Sequence, residues 1–234
     1  MEWQACKDAA EAEHAAATFI AERLVQAVEA RGRATLAISG GRSPWTMFGR
    51  LAALDVDWNA VHVFQVDERI VPLHHSARNW AHFLESPLAR RIPASHAHPM
   101  PVDIGDLELA IGRYSATLAE WASVPPQLDV VHLGIGEDGH TASLFTDDTL
   151  LQDRRHWVGA SRAYEGHRRL TLTLPVLNSA CTVVWFAVGA GRRVVLMRLK
   201  KGDPEIAASH VQRDRAIVFT DQDLADQGAG ATGR

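Results

Sequence analysis

Apolar and polar residues alternate along the chain with two different periods, and the order of these periods predicts an α/β fold. Residues 5–30 place apolar side chains at helical spacing among glutamates and arginines, and Gly32 is expected to end this helix. Short apolar runs rich in β-branched residues follow, which is typical of buried strands. The predicted strands are 34–38, 61–66, 128–133, 156–161, 168–174, 182–188 and 216–220.

Amphipathic segments between these runs predict the helices that cover the sheet. Proline is common in the first turn of a helix, so Pro44 marks one helix start. The other expected helical segments are 80–90, 107–122, one that opens with Arg192 and Arg193, and a last turn at 221–225.

No internal repeat or linker divides the chain, so the alternation of strands and helices predicts one domain, residues 1–227. We expect a doubly wound, mostly parallel sheet with helices on both faces, which is a Rossmann-like α/β arrangement. The glycine-rich segment 228–234 has little to bury and is expected to be disordered.

Composition narrows the function mainly by exclusion. The chain has 234 residues, of which 47% are hydrophobic and 22% charged, with a formal net charge of -4. This charge provides no long-range attraction for nucleic acid or an anionic membrane, so a small-molecule partner is expected. An anionic ligand must then be held by a local cluster of cations and amides. The start of the chain does not resemble a signal peptide and no run is long enough to span a membrane, so a cytoplasmic location is expected.

Metal and disulfide chemistry receive little support from the sequence. Cys6 and Cys181 are far apart and form no CxxC pair, which indicates two free thiols in a reducing cytosol. His74 and His75 lack further ligands at a suitable spacing, so solvent-exposed loop histidines are the better interpretation. We therefore predict no metal site.

The turn after strand 128–133 carries the densest candidate chemistry. Residues 134–140 read Gly-Ile-Gly-Glu-Asp-Gly-His, so three glycines accompany Asp138 and His140. Glycines at the carboxyl edge of a parallel strand allow positive φ angles and close approach to a ligand. The spacing also fits a dinucleotide fingerprint, but no long helix follows and Asp153 does not end a strand. We interpret the turn as a presenter of reactive side chains.

Two further glycine turns have the chemistry of an anion site. Residues 39–44, Ser-Gly-Gly-Arg-Ser-Pro, join a strand to a helix start, where backbone N–H groups, the helix dipole and Arg42 converge. This arrangement suits a phosphate, and a plain β–α connection is the alternative. Strand 182–188 is likewise followed by a glycine turn and Arg192.

Three adjacent charged residues, Asp67, Glu68 and Arg69, follow the buried strand 61–66. Charges at such a position are costly unless they pair or face a polar crevice. The pattern alone leaves open whether they form a structural cluster or a functional site.

Taken together, these segments resemble the 6-phosphogluconolactonase family, within the wider group that includes the glucosamine-6-phosphate deaminases. The resemblance implies a deaminase/lactonase type of fold. It also implies a cytoplasmic enzyme of the oxidative pentose phosphate pathway that hydrolyses 6-phospho-D-glucono-1,5-lactone to 6-phospho-D-gluconate without metal or organic cofactor. The matching pieces are 39–44, 67–72 with Asn79, 134–145, and 169–175 with Asn178 and Ala180.

The chain departs from the family pattern at a few positions. Arg78 stands where serine is usual, Thr146 where proline is usual, and no tryptophan occurs near Val218. Arg192 replaces a lysine, which keeps the charge but grips phosphate as a fork. The deaminases carry a glutamate shortly after the histidine, where this chain has Phe145, so the deaminase reading lacks a needed acid.

The resemblance and the chemistry of a δ-lactone assign roles to these residues. Hydrolysis of an activated ester needs a positioned water, a base and oxyanion donors, and the chain contains no G-x-S-x-G nucleophile elbow. His140 is the predicted general base, since imidazole is often unprotonated at neutral pH. Asp138 and Asp67 are the candidates to orient it, and Arg69 is expected to stabilise the oxyanion or bind sugar hydroxyls. The predicted substrate and phosphate contacts are Gly40, Gly41, Arg42, Ser43, Asn79, Arg169 and Arg192.

Two alternatives from other functional classes stay open at this level. The first is a glucosamine-6-phosphate deaminase or sugar-phosphate isomerase on the same scaffold. The second is a sugar-phosphate sensor that keeps the phosphate site without catalysis, although His140 beside Asp138 argues against it. The sequence leaves the oligomeric state undetermined, and we favour a monomer.

Overall fold

A parallel sheet forms the centre of the structure, a computed structural model that describes residues 1–41 and 43–224. In these ranges the strands are β1 (Glu2–Ala5), β2 (Ala34–Ile38), β3 (Val61–Gln65), β4 (Asp67–Arg69), β5 (Ala97–His98), β6 (Val130–Leu133), β7 (Val158–Ala160), β8 (Arg169–Leu172), β9 (Thr182–Phe186) and β10 (Ala216–Thr220). The helices are α1 (Ala9–Arg31), α2 (Pro44–Ala52), α3 (Asn79–Glu85), α4 (Leu107–Trp121), α5 (Leu174–Ser179) and α6 (Arg193–Lys201).

The order of the strands creates a crevice at one edge of the sheet. Seven strands pair in the order β1-β10-β9-β6-β2-β3-β5, and every neighbouring pair is parallel. From β2 the chain builds outward through β3 and β5, and it then returns to place β6 on the other side of β2. Ligands bind at such a switch point, outside the carboxyl ends of the strands.

Helices cover both faces of the sheet, as predicted, because strand side chains point alternately to opposite faces. Leu36 in β2 belongs to a buried cluster with residues of α1 and α2, such as Leu24 and Phe48. The adjacent Ala37 belongs to a second cluster, which includes Tyr114 of α4 and Leu196 of α6. The doubly wound α/β fold class is therefore confirmed.

The ends of α1 show why this long helix could be recognised from the sequence. The Asp8 side chain accepts a 2.8 Å hydrogen bond from the Glu11 amide, which caps the amino terminus. Gly32 adopts a left-handed conformation with φ of 72° and ends the helix, as expected. The predicted start at residue 5 was wrong, because residues 2–5 pair with β10 as an edge strand.

Several other predicted boundaries and elements needed correction. Strand 168–174 ends at Leu172, because Leu174 begins α5 with Pro175 in its first turn. Helix 80–90 ends at Glu85, since Ser86 precedes Pro87 and such a residue disfavours helical geometry. Residues 221–224 form bends and coil, not a helical turn.

A second, antiparallel sheet of three strands, β4-β8-β7, was not predicted. It turns the segment 67–69 into a strand paired with residues 169–171. The predicted disordered segment 228–234 lies outside the described residues, and the extent of the domain, 1–227, stays a prediction.

A stack of histidines lies beside β5, at the edge of the parallel sheet. The ring of His62 stacks on His96 and on Trp121, with centroid distances of 4.1 and 4.0 Å. Its Nδ1 lies 3.0 Å from Nε2 of His98. Burial, followed by the neighbouring His96, lowers the pKa of His62 and of His98 to about 4 in each case. His98 and Arg33 lower the pKa of His62 further.

We expect this stack to make the protein sensitive to acid. Because the folded pKa values lie below the ordinary 6.5, the unfolded chain binds protons that the folded chain does not. The contribution of the neutral His62 and His98 to the free energy of unfolding is complete above pH 6.5, and it is lost as the pH falls towards 4. The free energy of unfolding should decline by up to about 1.4 kcal/mol per pH unit for each histidine. Urea titrations from pH 7 to 4 measure this slope.

The double variant His62→Phe, His98→Phe should reduce the slope, because phenylalanine keeps an aromatic ring but binds no proton. His14→Gln serves as a control, since His14 is exposed on α1. An equal slope in the double variant and the unmodified protein would assign the acid sensitivity to other groups.

Candidate active site

A cavity of about 770 Å³ opens at the carboxyl edge of the parallel sheet, at the switch point between β2 and β6. It is lined by the segments that follow β2, β6 and β9 of the parallel sheet, and by residues of β4, α3, β8 and the loop between β7 and β8. Arg42, one of the predicted phosphate ligands, lies outside the described residues. The other predicted site residues all line the cavity: Gly40, Gly41, Ser43, Asp67, Arg69, Asn79, Asp138, His140, Arg169 and Arg192.

The glycine turn after β6 is folded tightly around His140. The Gly136 amide donates a 2.9 Å hydrogen bond to the His140 carbonyl, and the Gly139 amide donates to the Gly136 carbonyl at 3.0 Å. A Cβ atom on Gly136 would lie only 2.2 Å from Nδ1 of His140. Gly139 has φ of 86°, which is a glycine conformation. The glycines therefore let the turn pack against its own histidine and supply the positive φ angle that was expected at Gly139.

Asp138 is the carboxylate that contacts His140. Its Oδ1 accepts hydrogen bonds from Nδ1 of His140 at 2.6 Å and from the His140 amide at 3.1 Å. Burial tends to raise the pKa of Asp138, but the charge of His140 and these hydrogen bonds outweigh it, so the pKa lies below its ordinary value. An ionised Asp138 fixes the proton of a neutral His140 on Nδ1, and Nε2 is then the proton acceptor.

Asp67 was the other candidate to orient His140, but a different partner engages it. The hydroxyl of Ser143 donates a 2.6 Å hydrogen bond to Oδ2 of Asp67, and both residues are buried. Ser143 lies three residues after His140, and the sequence reasoning gave it no role. Asp67 thus lines the cavity, and Ser143, on the same loop as His140, fixes the position of its carboxylate.

The charged triplet has two roles: Glu68 belongs to a buried structural cluster, whereas Asp67 and Arg69 line the cavity. The Glu68 carboxylate is fully buried and accepts from the backbone amides of Arg69, Asn79 and Trp80, each at 2.8 Å. Gln65 donates a further 2.8 Å hydrogen bond, and the Arg78 guanidinium lies 3.5 Å away. Strand alternation turns Glu68 away from the cavity that Asp67 and Arg69 line.

Asn79 connects Arg69 with the glycine turn that follows β2. Its Oδ1 accepts a hydrogen bond from Nη1 of Arg69, and its Nδ2 donates to the Asp67 carbonyl at 3.0 Å. A Cβ atom on Gly40 would lie 2.0 Å from Oδ1 of Asn79. Gly40 is therefore needed because the Asn79 side chain packs directly on its backbone.

Three arginines, Arg69, Arg169 and Arg192, line the cavity together with four acidic residues, Asp67, Glu137, Asp138 and Glu165. Arg169 in β8 is the cross-strand partner of Arg69 in β4, and only 4% of it is exposed. Burial, the largest cause, lowers the pKa of Arg169 from its ordinary value, Asp67 and Glu165 oppose this, and Arg69 reinforces it. Glu165 lies 3.5 Å from the Arg169 guanidinium. Arg192 donates a 2.9 Å hydrogen bond to the Ile135 carbonyl, which holds it at the glycine turn.

Sequence reasoning missed other residues that line the cavity, above all Tyr164, Glu165 and the buried His132. Tyr164 lies on a loop between β7 and β8, and its ring centroid is 5.1 Å from that of His140. The loop has no motif and no periodicity, so no sequence signal pointed to it. His132 is a buried residue of β6, and nothing in the sequence distinguishes it from the other residues of that strand.

In residues 1–41 and 43–224, no three His, Cys, Asp or Glu side chains are grouped so that they could hold a metal ion. None of the helices in these ranges combines the length and the apolar character needed to cross a membrane.

Comparisons with known proteins point in one direction. A sequence profile described as glucosamine-6-phosphate isomerases/6-phosphogluconolactonase matches residues 7–219. A protein from Synechocystis sp. named 6-phosphogluconolactonase is 33% identical over 227 residues, which are 90% of this chain and 89% of that protein. The crystal structure of a 6-phosphogluconolactonase from Thermotoga maritima superposes with a TM-score of 0.82 at 25% identity, covering 94% of this chain and 98% of that one.

A monomeric glucosamine-6-phosphate deaminase also shares the fold. Its structure superposes with a TM-score of 0.80 at 16% identity and covers 94% of this chain and 97% of that one. At this identity the likeness concerns the fold alone, so fold cannot separate the two activities.

Proposed function

Because this chain belongs to the family of glucosamine-6-phosphate isomerases and 6-phosphogluconolactonases, we infer that it hydrolyses 6-phospho-D-glucono-1,5-lactone to 6-phospho-D-gluconate. The relatives that carry this activity in their names match it along most of its length. The enzyme is thus a lactonase of the oxidative pentose phosphate pathway. The hydrogen-bonded pair of Asp138 and His140 at the cavity carries the mechanism that we propose below.

In this mechanism His140 activates a water molecule for direct attack on the lactone carbonyl. Nε2 accepts a proton from the water as its oxygen bonds to C1, and the carbonyl oxygen gains the negative charge. Collapse of this intermediate breaks the bond between C1 and the ring oxygen, which takes the proton from His140. Asp138 holds the imidazole in the required tautomer and stabilises its protonated form.

Arg69 is our candidate for stabilising the oxyanion. Its guanidinium lines the cavity and is held by Asn79, so its position is set before substrate binds. A preorganised donor aimed at a developing charge costs no reorganisation during the reaction. Asp67 lies close to Arg169 and Ser143 and contributes to holding this side of the cavity.

The phosphate is proposed to bind at the amino terminus of α2. Gly40, Gly41 and Ser43 border the cavity at this point, and Pro44 begins the helix. Backbone amides and the helix dipole favour an anion there. Arg192 lines the same cavity and adds a fixed positive charge. Arg42 lies outside the described residues, and its part in phosphate binding stays a prediction.

The deaminase activity is disfavoured by one position. Phe145, where the deaminases are expected to carry a glutamate, is buried and packs against His140 with centroids 5.1 Å apart. A phenyl ring cannot transfer the proton that ring opening requires. The intact Asp138–His140 pair likewise favours an enzyme over a non-catalytic sensor.

One assay tests the reaction directly. Acid release from freshly generated 6-phosphogluconolactone should exceed spontaneous hydrolysis, while glucosamine 6-phosphate should yield no ammonia. Ammonia release from glucosamine 6-phosphate would instead favour the deaminase, and binding of either compound without turnover would favour the sensor.

We also propose a cytoplasmic enzyme that acts as a monomer on its small-molecule substrate, without nucleic acid, membrane or cofactor. Cys6 and Cys181 are free thiols, which suits a reducing compartment. Gel filtration with light scattering tests the oligomeric state.

Replacement of Arg169 by alanine should raise KM for the phosphorylated lactone. The buried guanidinium lines the cavity, and a hydrogen bond to a charged group contributes roughly 1.5–3 kcal/mol, or roughly 10- to 150-fold in KM. Arg168→Ala is a matched control, since Arg168 donates to the Ser161 carbonyl and is exposed. An unchanged KM in Arg169→Ala would remove Arg169 from the binding site.

A further inference from the structure

Four side chains, Arg162, Phe145, Tyr164 and Arg169, form a stack that we call the Tyr164 stack, and two of them, Tyr164 and Arg169, line the cavity. The guanidinium carbon of Arg162 lies 4.5 Å from the Phe145 ring centroid. The rings of Phe145 and Tyr164 stack with centroids 4.7 Å apart and an interplanar angle of 30°. The guanidinium carbon of Arg169 lies 5.1 Å from the Tyr164 centroid. Cation–π and aromatic contacts of this kind are attractive and depend on geometry.

The imidazole of His140 contacts both aromatic rings of this stack. Its ring centroid lies 5.1 Å from that of Phe145 and 5.1 Å from that of Tyr164, at angles of 39° and 56°. Asp138 holds the Nδ1 edge of the same imidazole. The imidazole therefore has aromatic neighbours in two places and a carboxylate at one edge, which together restrict its rotation.

The turn that presents Tyr164 has a defined geometry. Tyr164 and His167 exchange backbone hydrogen bonds of 2.9 and 3.2 Å across a two-residue turn. The turn residues Glu165 and Gly166 have φ of 50° and 81°, and two positive φ values are characteristic of a tight hairpin turn. The hairpin fixes Tyr164 at the cavity wall and places Glu165 beside Arg169.

The phenol is a neutral donor among charged groups. Burial, the charges of Asp138 and Glu165, and a hydrogen bond to Asp138 raise the pKa of Tyr164, while Arg169 opposes the shift. The hydroxyl therefore keeps its proton at neutral pH. It adds no charge that would compete with Arg169 for an anionic substrate.

We propose that Tyr164 is a positioning residue of the lactonase reaction, which holds the imidazole of His140 and the guanidinium of Arg169 in register through the Tyr164 stack. This inference rests on the proposed roles of His140 as base and Arg169 as anion-binding residue. The Tyr164 ring contacts both His140 and Arg169. Loss of the ring should therefore lower kcat through His140 and raise KM through Arg169. A hairpin residue that only fills space would affect stability and leave both constants unchanged.

Steady-state kinetics of Tyr164→Ala and Tyr164→Phe test the proposal. Tyr164→Ala should lower kcat roughly 10- to 100-fold, as expected for a displaced catalytic group, and should also raise KM. Tyr164→Phe keeps the ring contacts and should restore most of both losses. His167→Ala is the control in the same hairpin, because His167 does not line the cavity, and it should leave kcat and KM unchanged. Melting temperatures confirm that each variant is folded.

A double-variant experiment distinguishes action through His140 from other effects. In the His140→Asn background, Tyr164→Ala should cause no further loss of kcat but should still raise KM. An equal fall of kcat in both backgrounds, or no fall in Tyr164→Ala alone, would overturn the positioning role. If His140→Asn itself retained full kcat, the proposed base would be wrong, a result that the single His140 variant reveals independently of Tyr164.

Discussion

Replacement of His140 by asparagine is expected to lower kcat by about 10²–10⁴-fold with little change in KM, the range for loss of a general base. Asparagine keeps a similar size and much of the hydrogen bonding to Asp138, but it cannot accept a proton from water. The reaction is followed by acid release from freshly generated lactone, with the spontaneous hydrolysis subtracted at each pH. In the unmodified enzyme kcat should fall towards low pH, because a protonated imidazole cannot act as a base.

The chain contains a matched control for this variant. His156 also forms a short contact with an aspartate, 2.7 Å from Nδ1 to Oδ2 of Asp153, but this pair does not line the cavity. His156→Asn should therefore leave kcat unchanged. If His140→Asn retains most of its kcat, the base lies elsewhere, and Asp67 is the next residue to replace.

Replacement of Glu68 by alanine is expected to destabilise the protein by about 3–5 kcal/mol, the cost of breaking a buried ion pair from one side. The change leaves the Arg78 charge buried, and Nε and Nη1 of Arg78 have no hydrogen-bond partner among the described residues. The backbone amides of Arg69, Asn79 and Trp80 lose their acceptor as well. Urea unfolding measures the loss, and activity should fall because the backbone of Arg69 and of Asn79 loses its hydrogen bond to Glu68.

Arg78→Met separates the parts of this cluster. Glu68 then keeps its backbone donors and Gln65, so the loss should be smaller, about 1–3 kcal/mol. Glu85→Ala, at the exposed end of α3, is the control and should have little effect. Equal losses in Arg78→Met and Glu68→Ala would show that the backbone hydrogen bonds of Glu68 contribute nothing to stability.

Arg78 is also an example of a departure that only the structure explains. Its position was recognised as unusual for the family, but the sequence offered no partner for it. In the fold, Arg78 is buried beside Glu68, ten residues earlier in the chain, and becomes part of the support for Arg69 and Asn79. The substitution therefore acts on the scaffold of the cavity, since the Arg78 side chain does not line it.

The sequence by itself determined the features that depend on near neighbours in the chain. Helical and strand periods identified α1 and the core strands, since both reflect which side chains are buried. The glycines of residues 134–139 identified the turn that presents His140, and at Gly136 and Gly139 the neighbouring side chains leave no room for a Cβ atom. Those positions also carried the family resemblance, which the comparisons confirmed.

Only the tertiary structure decided which distant residues meet. The pairing of β4 with β8 brings Arg69 beside Arg169, about a hundred residues later in the chain. It also makes 67–69 a strand, so the Glu68 side chain points to the opposite face from those of Asp67 and Arg69. Likewise, a hairpin that carries no sequence motif places Tyr164 beside His140. Asp67 accepts a hydrogen bond from Ser143, whereas Asp138 accepts one from the imidazole of His140. Periodicity reports whether a side chain is buried, but it carries no information on its partner. Strand register and loop packing supply that partner, and they are settled by the balance of contacts over the whole fold.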